Sequence, residues 1–190
     1  MNATGYKAII PCALLALGLA VSASAAQSGS QKQSAAAKPL SSDDRGFIAK
    51  AAEGDMAEVA EGKMAQQKGQ GPKVKALGAR MVQDHTEING KLQRIAAGKG
   101  VGIPNKLDDT GEKEIDQLQQ LSGAKFDAAY SKKQVSDHQK AIKAYEKEAK
   151  SGSDSDLKGF AKATVPTLKQ HLELAQAAQS AAKSESGSGK

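Results

Sequence analysis

From about Asp43 to Gln67, apolar residues recur at intervals of three and four: Phe47, Ile48, Ala51, Ala52, Met56, Val59 and Ala60. That is the spacing of one face of an α-helix. Ser41, Ser42 and Asp43 offer caps at its start, and Gly69 and Gly71 close it. A second helical segment opens with Pro72, which suits a first turn, and ends before Gly98 and Gly100. Its stripe is Val74, Leu77, Met81, His85, Ile88, Leu92 and Ile95. A third runs from about Ala124 to Lys150, with Phe126, Tyr130, Val135, His138, Ile142, Tyr145 and Ala149 on one side. Ser153 or Asp154 caps the fourth, whose stripe runs from Leu157 and Phe160 through Leu168, His171 and Leu172 to Ala178. Pro166 falls inside it and predicts a bend, because it removes a backbone donor and crowds the preceding turn.

The connections differ in length, and the difference sets the topology. A few residues at 69–72 and at 151–154 imply two antiparallel hairpins, whereas about twenty-five residues separate the second and third segments. A helix of about 26 residues is about 39 Å long, and an extended chain covers that in about 12 residues. The long connection can therefore recross the molecule. It holds a short helix of its own, Glu112 to Leu121, stopped by Gly123. Short, long, short is the spacing of an all-α, four-helix bundle of ferritin-like type with one crossover.

Composition agrees with helices and narrows the chemistry. Three Tyr, three Phe and no Trp leave a core of Ala, Leu, Val, Ile and Met, which helices accommodate well. Residues 1–25 read as a signal peptide: Lys7, an apolar run from Ile9 to Val21, and the small residues Ala23 and Ala25 before the cut. The chain is thus expected to be exported, periplasmic or associated with the outer membrane, and its mature part has no run long enough to span a bilayer. Cys12 is the one cysteine and lies inside the signal, so no disulfide or thiolate site is expected. Residues 26–42 and 183–190 are rich in Ser, Ala, Gln, Gly and Lys; a disordered linker and tail are expected there, flanking a single domain over 43–182. The net charge of +6 comes from lysines interleaved with acids, and without exposed aromatics a nucleic-acid platform is not expected. Peripheral attraction to envelope polymers is the remaining partner reading.

Phe47-Ile48-x-x-Ala51-Ala52, Glu58-Val59-x-x-Gly62-x-x-Ala65, Met81-Val82-x-Asp84-His85, Gly123-x-x-Phe126-Asp127-x-x-Tyr130 with His138, and Pro166-x-Leu168-x-x-His171-Leu172 span the whole mature domain. Together they resemble a bacterial family of domains of unknown function, ferritin-like in fold and often labelled predicted outer-membrane protein. The resemblance implies the fold and an envelope location. It carries no biochemical activity.

The three histidines lie near the middles of three different helical segments, on or beside the apolar stripe. His85, His138 and His171, with Glu58 as preferred fourth ligand and Asp55 or Glu61 as alternatives, form a candidate site for zinc, copper or iron, ions that accept nitrogen and oxygen donors. The plain alternative is a set of polar core histidines, each hydrogen-bonded to a carboxylate; a pH switch is the third reading. Ring nitrogens within about 5 Å of one another, with an acid nearby, distinguish a metal site from packing. A ferritin-type di-iron centre needs Glu-x-x-His motifs, and Val82, Val135 and Leu168 stand where those glutamates belong. Asp84 cannot easily orient its neighbour His85, since adjacent helical residues diverge; it is placed to reach an imidazole or lysine on another helix. Met56, Met64 and Met81 are read as gap-filling core rather than copper ligands. No phosphate loop, nucleophile elbow or catalytic dyad appears in the sequence, so a non-enzymatic envelope protein is expected, with a periplasmic metal-binding protein as the alternative.

Overall fold

A computed structural model describes residues 39–187; the expected signal peptide and most of the expected linker lie outside the described residues. All regular structure there is helical, with no strand: α1 (Ser42–Lys68), α2 (Pro72–Gly98), α3 (Asp109–Gln119), α4 (Gly123–Ser151) and α5 (Ser155–Gly187). None of these helices is long and apolar enough to cross a membrane.

Local chemistry sets the ends. Ser41 caps α1 by accepting the amide of Asp44 at 3.0 Å. Asp108 does the same for α3 through the amide of Gly111 at 2.7 Å. Asp154 caps α5 by accepting the amides of Asp156 and Leu157 at 3.0 and 3.1 Å. Gly123, expected to stop the short helix, instead opens α4 with a φ of +56°, a left-handed geometry that favours glycine. The short helix accordingly starts and ends earlier than its apolar residues suggest. Pro166 does not interrupt α5, although it leaves the Lys162 carbonyl without its usual amide donor.

Two expected boundaries are corrected. Leu40 is buried against the core that contains Leu157, so order begins before residue 43. The expected tail from residue 183 is helical to Gly187, because Ala175, Ala178 and Ala182 extend the buried face of α5 by further turns.

α1 packs on α2 and α4 on α5, and the two hairpins meet through α2 with α5 and α1 with α4. One end of the molecule is marked by Lys99, just past α2, which pairs with Asp154 and Asp156 at 2.7 and 2.5 Å. There Asp44, in the first turn of α1, accepts the amide of Ser153 in the α4–α5 turn at 3.0 Å. At the other end Asp127, in the second turn of α4, accepts the amides of Gln70 and Gly71 in the α1–α2 turn, the latter at 2.6 Å. Each hairpin's turn is thus held by a carboxylate of the opposite hairpin. The 99–122 connection therefore runs from one end to the other, carrying α3 against α1 and α4.

The buried apolar residues form two clusters. One gathers Ile48, Ala52, Ile88, Leu92, Ile142, Tyr145, Leu157 and Leu168. The other gathers Ala65, Val74, Leu77, Met81, Phe126, Tyr130, Ala175 and Ala178. Along each helix the histidine and acid positions fall between them, so a polar layer sits at mid-length with apolar packing above and below.

Candidate metal centre

The polar layer draws one histidine from each of three helices: His85 from α2, His138 from α4 and His171 from α5, all essentially buried. Each offers one ring nitrogen, and the three nitrogens lie within 4.8 Å of one another. The rings themselves stand 5.2–5.6 Å apart between centroids, mostly edge to face. Separation is therefore on the metal side of the 5 Å test.

The outward nitrogen of every ring is already committed. His85 Nδ1 lies 2.7 Å from Asp55 Oδ1 on α1. His138 Nδ1 lies 3.0 Å from the carbonyl of Gln134, one turn earlier on α4. His171 Nε2 lies 2.8 Å from Asp84 Oδ2 on α2, and Arg80 donates to the same oxygen at 2.6 Å. Carbonyl and carboxylate oxygens only accept, so each outward nitrogen must carry the hydrogen. Three lone pairs are then left pointing inward. His138 Nε2 and His171 Nδ1 face each other at 3.2 Å, and His85 Nε2 is buried with no hydrogen-bond partner among the protein atoms.

Proton counting sharpens this. The line from the Gln134 carbonyl through His138 and His171 to Asp84 contains three hydrogen-bonding contacts, whereas two neutral imidazoles supply two hydrogens. Burial disfavours the charged form of Asp84, but the hydrogen bonds from His171 and Arg80 outweigh it and hold Asp84 below the usual carboxylate range, hence ionised. Burial pulls His171 down to about 4 despite Asp84, with the other imidazoles adding to the effect. Burial lowers His138 as well, against the pull of Glu58. Both rings are thus neutral near pH 7, and the 3.2 Å contact sets lone pair against lone pair. Burial works against a charged His85 too, but there the Asp55 hydrogen bond and the carboxyls of Glu58, Asp55 and Asp84 prevail and raise it. Asp55 is itself raised by burial, so this pair holds protons more readily than either group alone, and a cation entering the cluster takes the place of the proton that a charged His85 carries on Nε2.

The carboxyls on α1 take roles other than the expected ones. Asp55 orients His85 and Glu61 accepts from Gln134 Nε2 at 3.0 Å, with Lys133 3.5 Å away. Burial and the neighbouring Glu58 push Glu61 up to about 8. Glu58, the preferred fourth ligand, is buried but stands outside the converging group: its Oε1 lies 3.8 Å from the outward nitrogen of His138, and its Oε2 is unpartnered. Asp84 reaches an imidazole on a neighbouring helix, as its position on α2 predicts, while Asp137 pairs with Lys133 and Lys140 on its own helix. The Gln134 carbonyl was invisible in the sequence, since every helical residue has one and only the ring's placement selects it.

Residues 29–178 match the family described as Domain of unknown function (DUF4142). The chain belongs to that family. No curated protein matches it. Among solved structures, this DUF4142 chain is similar in fold to a DUF305 fragment from Deinococcus radiodurans, at 11% identity and a TM-score of 0.66, covering 75% of this chain and 99% of that one. It is also similar to CopM in its Ag-bound form, at 15% identity and a TM-score of 0.58, over 70% of this chain and 92% of that one. CopM in its Cu(II)-bound form gives 13% identity and a TM-score of 0.58, over 72% and 95%. At these identities the likeness concerns the fold.

Proposed function

We propose that His85, His138 and His171 bind one transition-metal ion, copper or zinc, in an exported envelope protein whose helices form a ferritin-like bundle, and that the role is to hold the ion rather than to catalyse. One observation carries the reading: three buried imidazole lone pairs converge from three helices while every outward nitrogen is held by an acceptor. Metal-ligating histidines have this outer arrangement, in which a carboxylate or carbonyl fixes the tautomer and makes the inner nitrogen a better donor. A cation set among the inner nitrogens replaces the hydrogen that the His138–His171 contact lacks. Two donors on a tetrahedral ion about 2 Å from each stand about 3.3 Å apart, close to the 3.2 Å found for that pair.

The donor set selects among ions. Nitrogen without sulfur suits Cu(II) and Zn(II), and Cu(II) binds most tightly along the first-row series. Iron is less well served, because no carboxylate joins the converging group. Similarity in fold to proteins solved with Ag and Cu(II) supports the copper reading. Asp55 and Asp84, each on an outward nitrogen, offset the ion's charge inside the core.

Calorimetry on the metal-free chain tests it. One Cu(II) per chain is expected, lost in His138→Ala and weakened about 10- to 100-fold in Asp84→Asn, which keeps the shape but weakens the outer hold on His171. A chain that binds none of Cu, Zn, Fe or Mn, with His85→Ala unchanged from the parent, sinks the proposal.

A further inference from the structure

α1 and α4 are packed less closely than the other neighbouring pairs of long helices. Their seam opens into a cavity of about 820 Å³, whose walls include Phe47, Ala51, Ala141, Tyr145 and Leu168. His85 and His138 also line it, whereas His171 does not. The cavity thus reaches the imidazole cluster from one side. Five polar atoms of its lining residues are buried and unpartnered; Asp44 Oδ2 and Glu148 Oε1 belong to the end near the α4–α5 turn, and three belong to the polar layer, His85 Nε2, Asp55 Oδ2 and Glu58 Oε2. One is a nitrogen lone pair for a metal; the other two accept hydrogen bonds. Gly54, on α1, is among the lining residues, and a Cβ added there meets nothing within 4 Å.

Resting on the metal-binding reading, we propose that an ion held by the three imidazoles keeps a coordination position open to this cavity, which takes a small neutral nitrogen donor carrying an N–H, of the imidazole class. Three protein ligands with a fourth position left free is the pattern of exchangeable rather than sealed metal sites. The mainly apolar walls suit a neutral ring, and the volume is in the range of small-molecule pockets. Such a ring has two ends, as the wall does. Its lone pair meets the ion, and its opposite N–H meets Asp55 Oδ2 or Glu58 Oε2, groups whose burial without a partner is costly. A histidine side chain of a delivering or receiving protein has the same two ends, so the cavity fits ligand exchange as the way an ion passes on and off.

The test uses the full chain loaded with one equivalent of Cu(II), titrated with imidazole and followed by its visible absorption and electron paramagnetic resonance. A saturable spectral change at one imidazole per chain is expected, with copper per chain unchanged after gel filtration. 1-Methylimidazole, which has no N–H to give, should bind about tenfold more weakly, the loss that leaving buried acceptors unpaired produces. Gly54→Phe, which adds a ring to the cavity lining, should weaken imidazole about tenfold or more while copper stoichiometry stays at one. Gly54→Leu provides the milder variant should the ring disturb α1. A chain that holds copper but shows no saturable response, or whose Gly54 variants respond as the parent does, overturns this inference alone. Equal binding of the two imidazoles overturns the assignment of Asp55 and Glu58. A chain that takes up no copper overturns both this inference and the metal site itself.

Discussion

The crossing of α1 and α2 makes a quantitative test of how closely this molecule is packed. Gly62 and Gly78 face each other there. A methyl group at Gly78 would lie 2.6 Å from the Gly62 carbonyl oxygen and 2.7 Å from the Ala65 Cβ, where ordinary contact begins at 3.4 Å. Both obstacles are parts of the helix that no rotamer change can move, so Gly78→Ala requires α1 to retreat by about 0.8 Å. Overpacking of this kind costs about 1–3 kcal/mol. Replacing a mid-helix glycine by alanine returns up to about 1 kcal/mol. A net loss of up to about 2 kcal/mol follows. Gly54→Ala is the control, since its Cβ meets nothing within 4 Å and only the propensity gain of about 0.5–1 kcal/mol remains. Urea unfolding followed by circular dichroism should place the two variants on opposite sides of the parent, about 2 kcal/mol apart. His85 lies two turns beyond Gly78, so the same retreat stretches the 2.7 Å contact with Asp55. If Gly78→Ala unfolds at or above the parent midpoint, the close crossing is wrong.

Two further substitutions probe the ends. Glu148 is pushed up to about 7 by burial and by Asp44, which the Ser153 amide and Ser41 hold ionised against its own burial. A carboxyl raised in the folded state keeps its proton where the unfolded chain has released it, so stability falls as pH climbs from about 4.5 to about 7 and is level above. Glu148→Gln should remove that slope and gain about 1 kcal/mol at pH 8, a figure reduced for solvent screening, with no gain at pH 4; a difference in urea midpoint between variant and parent that is the same at the two pH values refutes it. Asp127→Ala takes the acceptor from the Gln70 and Gly71 amides and should cost about 2–3 kcal/mol. A thermal midpoint lowered by about 5–10 °C checks this, and a change below about 2 °C would assign the α1–α2 turn to other contacts.

Most of the helical architecture is legible in the chain because it is written in period and punctuation. The stripes around Leu77, Ile142 and Leu168, the Pro72 start and the Asp154 cap need only local rules. Boundaries set by tertiary contact are not legible in this way. Leu40 looks like part of a polar end and is buried only because another helix supplies a surface. The histidines could be found as three mid-helix imidazoles, and Asp84 as a partner for a neighbour's ring, from helical geometry alone. Which acid meets which ring depends on the relative rotation and rise of two helices, and that decides between Asp55 and Glu58, three residues apart on one face. The lone-pair count, on which the functional reading depends, requires knowing which nitrogen faces which acceptor, and no linear pattern holds that information.

The exchange of carboxylates between hairpins has a consequence for how the molecule comes apart. Asp44 completes a turn in the second hairpin and Asp127 completes one in the first, so neither half is finished without the other. Severing the chain within 99–122 would leave two fragments, each holding what the other lacks. Such halves are suited to complementation: poorly ordered when separate, and reassembling when mixed, with the imidazole cluster restored only in the joined product, since His85 belongs to one fragment and His138 and His171 to the other.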